Sequence, residues 1–430
     1  MSVTAVIFIT FIGLLIIGAP ITLSLGAAAL GGMIVSGKPL EGLVEIAYTS
    51  VNSFPIMALP AFILSGALME SAGISRRLVA VAESLAGPFT GGMAASTILS
   101  CLFFGAISGS GPATTAAVGM LMIPAMTRHG YDRGYAGAVT SSSGGLGVVI
   151  PPSIPMVIYG VAASQSIADL FIAGFIPGIM LAVGLMTMNY LQSKRKKYKG
   201  DGKKLSPKTV WVTMKEGFWA LLTPVIILGG IYTGFFTPTE AAIVSIFYTL
   251  FVGIFIYKEI ELQGVMKALE STTWITGRVL IIMFTALAFG QLLTINKIPD
   301  LIAQGLLDLT GNLYLIWVLI ILFLLFMGMF METLATIMLV TPVLLPVMVS
   351  LGVDPIHFGI VLVCCCEIGF ATPPLGENMF IASGVARTSL EDISVNALPF
   401  VFISVLVVFL IAYFPTLTLW LPDLLNSIFQ

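Results

Sequence analysis

Apolar positions fall along this chain in runs of about 20 residues, without the alternation of a barrel strand, and so predict membrane-spanning helices. Two blocks depart from that length. Residues 91–126 and 313–348 are each apolar for about 36 residues, too long for one span and too short for two spans plus a turn. Each predicts a re-entrant helical hairpin that enters and leaves on one side, with its tip near the midplane. The tips are "SGSGPATT" (108–115) and "METLATI" (331–337). The segments that follow are interrupted in turn, by "SSSGGLGVVIPPS" (141–153) and "EIGFATPPLGEN" (367–378). Proline removes a helical donor and clashes with the preceding turn, so each of these crossings is predicted to be unwound in its middle.

The recurrence is an internal repeat. At a shift of 222 residues Pro124 falls on Pro346, Gly130 on Gly352, Asp132 on Asp354, Gly147 on Gly369, Pro151-Pro152 on Pro373-Pro374 and Pro177 on Pro399. A shift of 224 continues it upstream, with Gly66 on Gly290 and Gly87 on Gly311. Glycines and prolines dominate, so the halves share backbone geometry more than side-chain chemistry. The expected organisation is a first repeat over 1–192 (hairpin 91–126, broken helix 135–163), a linker over 193–215, and a second repeat over 216–430 (hairpin 313–348, broken helix 357–385).

Charge gives the orientation. Nine of the 19 Lys and Arg lie between Lys194 and Lys215, which makes the linker cytoplasmic by the positive-inside rule. The loop 127–134 carries Arg128 and Arg133, whereas its counterpart 350–359 carries neither Lys nor Arg. Equivalent loops are therefore expected on opposite faces: the repeats are inverted. Parity then gives about five crossings and one hairpin per half, with both termini outside. Trp211 and Trp219 read as interface anchors, and Asp132 and Asp354 as helix N-caps.

Composition narrows the class. The chain has 430 residues, 58% hydrophobic and 9% charged, with a mean hydropathy of +1.05; a soluble domain has roughly 25% charged residues. The fold class is an all-α polytopic membrane protein. Cys101 and the triplet Cys364, Cys365 and Cys366 sit in apolar runs and read as core packing. His129 and His357 flank segment ends and form no ligand cluster. No His-Glu-x-x-His, Gly-x-Ser-x-Gly or paired-aspartate arrangement occurs, so an enzyme is not expected. No Gly-x-x-x-x-Gly-Lys loop occurs either, which leaves an ion gradient as the energy source. A channel would need a continuous polar path; here the polar residues form two midplane islands.

Those islands have a chemistry. Non-helical backbone at membrane depth persists only where it is buried in protein or lines a cavity. Unwound carbonyls and half-helix C-termini offer oxygens to a small hard cation; half-helix N-termini offer N–H groups to an anion. Ser108, Ser110, Thr114 and Thr115, with Ser141, Ser142 and Ser143 opposite, add hydroxyls, and so do Thr333, Thr336 and Thr372 in the second half. Glycine, serine and threonine are also ordinary residues of close helix packing in membranes, but the matched tip and the double-proline break after each tip favour a site. Glu332, Glu367 and Glu377 lie at the second tip and break. Ligation of an ion and bracing of the hairpin both stay open for them.

"GAISGSGPATTAAVGMLMIPAM", "GGLGVVIPPSIPMVIYG" and "GFATPPLGENMF" resemble the large membrane (M) subunit of tripartite ATP-independent periplasmic (TRAP) transporters, the DctM-like family, over essentially the whole chain. The resemblance implies an ion-transporter-type elevator fold with two inverted repeats, and sodium-coupled uptake of an organic acid across the bacterial inner membrane. It implies two partners, a small four-helix membrane (Q) subunit and a soluble periplasmic substrate-binding (P) protein. The first is expected as a separate polypeptide, because no room for it precedes the first repeat. Position by position, the sodium sites fall at Ser108, Gly109, Ser110, Gly111 and Thr114 with Ser141, Ser142, Ser143, Gly144 and Gly145, and at Glu332, Thr333 and Thr336 with Gly369, Thr372 and Pro373. The substrate falls at Thr115, Pro151, Pro152, Ser153, Pro374 and Asn378. No cofactor is expected beyond sodium as the coupling ion. The sialic-acid branch is the expected one, although no residue reads as a sugar-specific contact. A proton-coupled organic-anion transporter of a related elevator family is the alternative.

Overall fold

A computed structural model describes residues 2–52, 54–200, 202, 206–373 and 376–429. Helices carry nearly all of these residues, and no strand occurs among them. Among the described residues seven helices are long and apolar enough to cross a membrane, or up to nine if each bent pair counts as one span.

At the two blocks expected to turn back, the chain forms the helix pairs Gly92–Ser108 and Gly111–Arg128, and Leu313–Phe330 and Thr333–Ser350, of which the last two are each long and apolar enough to span a membrane. Each pair has only two residues between its helices. The helix after the first hairpin runs Arg133–Gly144 and Leu146–Val149, breaks, and resumes as Ile154–Ala163 with a bend of 45°. The helix after the second runs Pro355–Phe370 and resumes as Glu377–Ala386. A long helix follows each, Ile167–Lys196 and Leu390–Tyr413, and an amphipathic helix precedes each hairpin, Ile74–Ala86 and Ile298–Leu309.

Local sequence sets the helix starts. Proline stands at the first or second position of six helices, as Pro112, Pro155, Pro207, Pro238, Pro299 and Pro355, where its missing N–H has no helical partner to lose. Thr237 and Glu240 close a reciprocal capping box, and Asp354 accepts from Ile356 N at 2.8 Å and His357 N at 3.1 Å. Asp132, its matched position, does not cap. Its carboxylate instead accepts the Tyr198 hydroxyl at 2.6 Å and faces Lys196 at 3.5 Å. Tyr198 is itself stacked on Tyr131 and tilted against Tyr135, which fixes its hydroxyl at the carboxylate. Burial, and the Asp132 carboxylate beside it, hold the Tyr198 phenol above its ordinary range.

Two groups of helices emerge. Ile21–Val35 and Ala58–Ser71 pack on the long helix Leu262–Ile295, with Val3–Ile16 against the first of them and Pro238–Phe251 against the second. The other group interlocks the halves: Arg133–Gly144 packs against Gly111–Arg128, Glu377–Ala386 and Leu390–Tyr413, while Thr333–Ser350 packs against Ile154–Ala163 and, joining the two groups, against Leu262–Ile295. The four cysteines are free and buried in the core. In lipid, apolar burial gives helices little reason to associate, so close approach of backbones carries more of the packing. At Gly105 a Cβ would lie 2.5 Å from the Gly147 Cα, and at Gly369 it would lie 2.5 Å from the Gly328 carbonyl carbon. Each hairpin is thereby held against its broken helix through glycine.

Candidate functional site: two hairpin tips and the junction between them

At the first tip the chain reverses through Gly109, whose φ of +62° is left-handed and strained for a residue with a Cβ. A Cβ there would also lie 2.8 Å from the Pro152 carbonyl oxygen. The tip is docked on the break of its own half: Ile154 N donates to Gly109 O at 3.2 Å. Ser108 and Thr114 hydroxyls are 2.8 Å apart, and Thr114 Oγ1 also donates to Ser110 O at 2.8 Å. Thr114 therefore sits where Gly147 leaves room for it.

The second tip is polar in a different way. Glu332 Oε2 accepts from Arg278 Nη2 at 2.7 Å, so the tip is tied to the long helix Leu262–Ile295. Thr333 Oγ1 donates to Glu367 Oε1 at 2.8 Å. Thr336 and Thr372 turn back to carbonyls of their own helices, Glu332 O at 3.1 Å and Ile368 O at 2.6 Å. Pro373 lies in the break, half-buried; Pro374 lies outside the described residues.

Between the tips is a junction built from both halves. Glu367 is 3% exposed, and among the described residues its Oε2 has no hydrogen-bond partner. It faces the start of Gly111–Arg128: a Cβ on Gly111 would lie 2.6 Å from this oxygen and 3.5 Å from Asn378 Oδ1. Asn378 is fully buried with neither amide atom partnered, as are the hydroxyls of Thr115 and Ser143. Thr115 Oγ1 packs where Gly144 has no side chain, and Gly145 faces Glu367. Glu367, Ser142 and Gly145 line a cavity of about 20 Å³, room for one water-sized species.

Most of the expected site residues gather at these places, with some changes of role. Ser108, Gly109, Ser110, Gly111 and Thr114 form the first tip, and Ser142, Ser143 and Gly144 stand on the last turn of Arg133–Gly144, with Gly145 at its C-terminus and the break only after Val149. Ser141 turns to Ala138 O at 3.1 Å, and Ser153 caps Met156 N at 3.3 Å. Pro151 and Pro152 are buried in the break itself. Sequence reasoning leaves Glu367 undecided and passes over Arg278. The signal for Glu367 is a carboxylate inside the apolar run of Pro355–Phe370. For Arg278 there is no signal, since only the packing of the long helix brings it to the second tip.

An all-helical bundle of this kind, with hairpins meeting broken helices, has the fold of solved membrane transporters. The YdaH transporter of Alcanivorax borkumensis superposes with a TM-score of 0.63 over 97% of this chain and 98% of its own, at 16% identity. MtrF of Neisseria gonorrhoeae superposes with a TM-score of 0.59 over 86% and 83%, at 14% identity. Sequence comparison then gives the family. The model for the tripartite ATP-independent periplasmic transporter DctM component matches residues 8–417, and the chain belongs to that family. It is 43% identical over 416 residues to the isethionate TRAP transporter permease protein DctMQ of Oleidesulfovibrio alaskensis, covering 96% of this chain and 66% of that one. It thus spans less than two thirds of that relative. It is 37% identical to the sialic acid large permease SiaM of Vibrio cholerae, over 96% of this chain and 97% of that one. Against the C4-dicarboxylate large permease DctM of Rhodobacter capsulatus it is 34% identical, over 98% and 99%. The chain is a multi-pass protein of the bacterial inner membrane, and these relatives are permeases.

Proposed function

We propose that this chain is the substrate-translocating subunit of a TRAP transporter and couples sodium entry to the uptake of an organic anion. The observation that carries the reading is the pair of hairpin tips, each held against a helix break, with buried unpartnered oxygens between them. Neutral oxygens in a water-excluded setting suit a small hard cation. The motion is of the elevator type, with the interlocked group carrying both tips past the group built on Leu262–Ile295. In this reading the repeats, 1–192 and 216–430, are inverted across the bilayer.

The substrate is a small organic acid. The relatives are named for isethionate, C4-dicarboxylates and sialic acid, which share an anionic head and little else; sialic acid is one member of that range. The partners are a small membrane subunit and a soluble periplasmic binding protein. The small subunit is proposed as a separate chain, as expected above; among the relatives, DctM and SiaM are named as large permeases and DctMQ, covered to 66% of its length, as a permease protein. Proton coupling is the second reading, favoured by the buried Glu367 carboxylate.

Uptake in proteoliposomes, with sodium and pH gradients imposed separately, tests this. Uptake should require sodium, persist when the pH gradient is collapsed, and appear only with small subunit and binding protein both present. Full uptake in sodium-free buffer under a proton gradient would overturn the coupling. Robust uptake by the lone chain would overturn the three-part assembly.

A further inference from the structure

We propose that the cavity between the surface helix Glu41–Val51 and the end of the long helix Leu262–Ile295 holds the headgroup of phosphatidylethanolamine. The inference goes beyond the transport reading and does not depend on it. The cavity has a volume of about 290 Å³, and its polar lining is Lys38, Glu45, Thr49 and Gln291. A single water needs only about 10–15 Å³, so the space is far larger than one ion fills. Lys38 is half-buried. Among the described residues neither Lys38 nor Glu45 takes part in an ion pair, although both line this one space.

One cation and one anion in one cavity select a zwitterion. A simple anion would meet the Glu45 carboxylate, and a simple cation would meet the Lys38 ammonium. A phosphate against Lys38 and a primary ammonium against Glu45 answer both charges at once. Thr49 Oγ1 gives its own proton to Glu45 O at 2.8 Å, which leaves its oxygen as an acceptor. A primary ammonium has three N–H donors to share between these oxygens, whereas a trimethylammonium head has none.

Depth makes the ligand a lipid. The cavity floor is apolar, with Met33, Ile46, Leu292 and Ile295, and both Ile21–Val35 and Leu262–Ile295 end beside it. Glu41–Val51 packs on the long helix and turns Gly42, Glu45, Ile46 and Thr49 to the cavity, a single helical face by spacing. Beside that face Leu40, Val44 and Tyr48 recur every fourth residue and stand 45%, 71% and 66% exposed. An exposed apolar stripe next to a polar face marks a helix that lies in the membrane interface, where lipid headgroups are. The acyl chains follow the apolar floor into the bilayer, and the headgroup ties the surface helix to the long one.

The test uses the full chain, purified in detergent and stripped of lipid, with mixed micelles of one lipid at a time added back. Phosphatidylethanolamine should raise the unfolding midpoint at a concentration about fivefold below that at which phosphatidylglycerol or phosphatidylcholine gives the same rise, the effect of one charge at a membrane surface. Lys38→Gln should need about fivefold more phosphatidylethanolamine, for the same reason. Glu45→Gln should bring phosphatidylethanolamine and phosphatidylglycerol close together, because nothing then repels a purely anionic head. Glu45 is exposed, so this variant carries the test if Lys38→Gln does not fold. An equal response of the wild type to the three lipids, or wild-type titrations in the folded variants, would overturn the site. An equal response to water-soluble glycerophosphoethanolamine at matched concentration would make the ligand a solute and overturn it too. So would a phosphatidylethanolamine response that vanishes when the small membrane subunit is co-purified, which would make this face a protein contact.

Discussion

Arg278 Nη2 lies 2.7 Å from Glu332 Oε2, an ion pair joining the long helix Leu262–Ile295 to the tip of the second hairpin. The side chains are 62% and 22% exposed, so the pair contributes no more than about 1 kcal/mol to stability. Its place matters more than its strength, because it bridges the two groups of helices that move past each other in the elevator reading. Glu332→Gln should leave thermal unfolding nearly unchanged and alter the uptake rate at least threefold. Cysteines introduced together at positions 278 and 332 and bridged by a reducible bifunctional thiol reagent, long enough to replace the two side chains, should stop uptake, with recovery on reduction. Undiminished uptake by the cross-linked protein would exclude relative motion at this boundary.

The glycine contacts behind the tips predict a contrast in stability. A Cβ on Gly105 or Gly369 would meet backbone at 2.5 Å, and backbone has no rotamer with which to yield. Ala at either position should destabilise by about 1–3 kcal/mol. Gly229 also lies within a helix, but a Cβ added there would have nothing within 4 Å. Gly229→Ala should therefore be neutral or stabilise by about 0.5–1 kcal/mol, through helix propensity alone. Unfolding in detergent, followed by loss of the monodisperse peak on heating, measures all three.

The first tip predicts a hydroxyl-specific effect on the ion. Ser108 shares a 2.8 Å contact with Thr114 at the tip, whereas Ser100, on the same helix, returns its hydroxyl to Ser96 O at 2.7 Å. Loss of one hydroxyl contact of about 0.5–1.5 kcal/mol corresponds to a rise of roughly two- to tenfold in the sodium needed for half-maximal uptake. Ser108→Ala should show that rise, and Ser100→Ala should not. Equal behaviour of the two would remove the first tip from the sodium site.

Inversion of the repeats is tested by labelling. The loops at 129–132 and 350–354 are the matched pair, but Tyr131 and Val353 within them are buried at 2% and 8% exposure. His129 and Ser350 are exposed. With the four native cysteines replaced, His129→Cys should react with an impermeant maleimide from the cytoplasmic side and Ser350→Cys from the outer side. Reaction of both from one side would make the repeats parallel.

The helix ends at the two tips and the breaks that follow were legible in the chain itself, because they depend on local rules: a Gly-Ser-Pro run ends a helix, and a double proline must interrupt one wherever it falls. Capping was legible at Asp354 for the same reason. At Asp132 it was not: the competing partner, Tyr198, lies 66 residues further along the chain, and nothing near Asp132 announces it. The tips could be named from their Gly, Ser and Thr content, yet that content says nothing of which hydroxyls face inward. Ser141, Thr336 and Thr372 spend theirs on their own helices, while Ser108 and Thr114 meet each other. Glu367 and Arg278 are the clearest cases of what tertiary structure alone decided. A carboxylate in an apolar helix can brace, bind or face water, and the choice depends on which groups the other half of the chain brings within reach. Folding brings Thr333, Gly111 and Asn378 to Glu367, and Glu332 to Arg278. Electrostatic partners in a low-dielectric interior are set by distance in space, and the order of residues along the chain does not contain that distance.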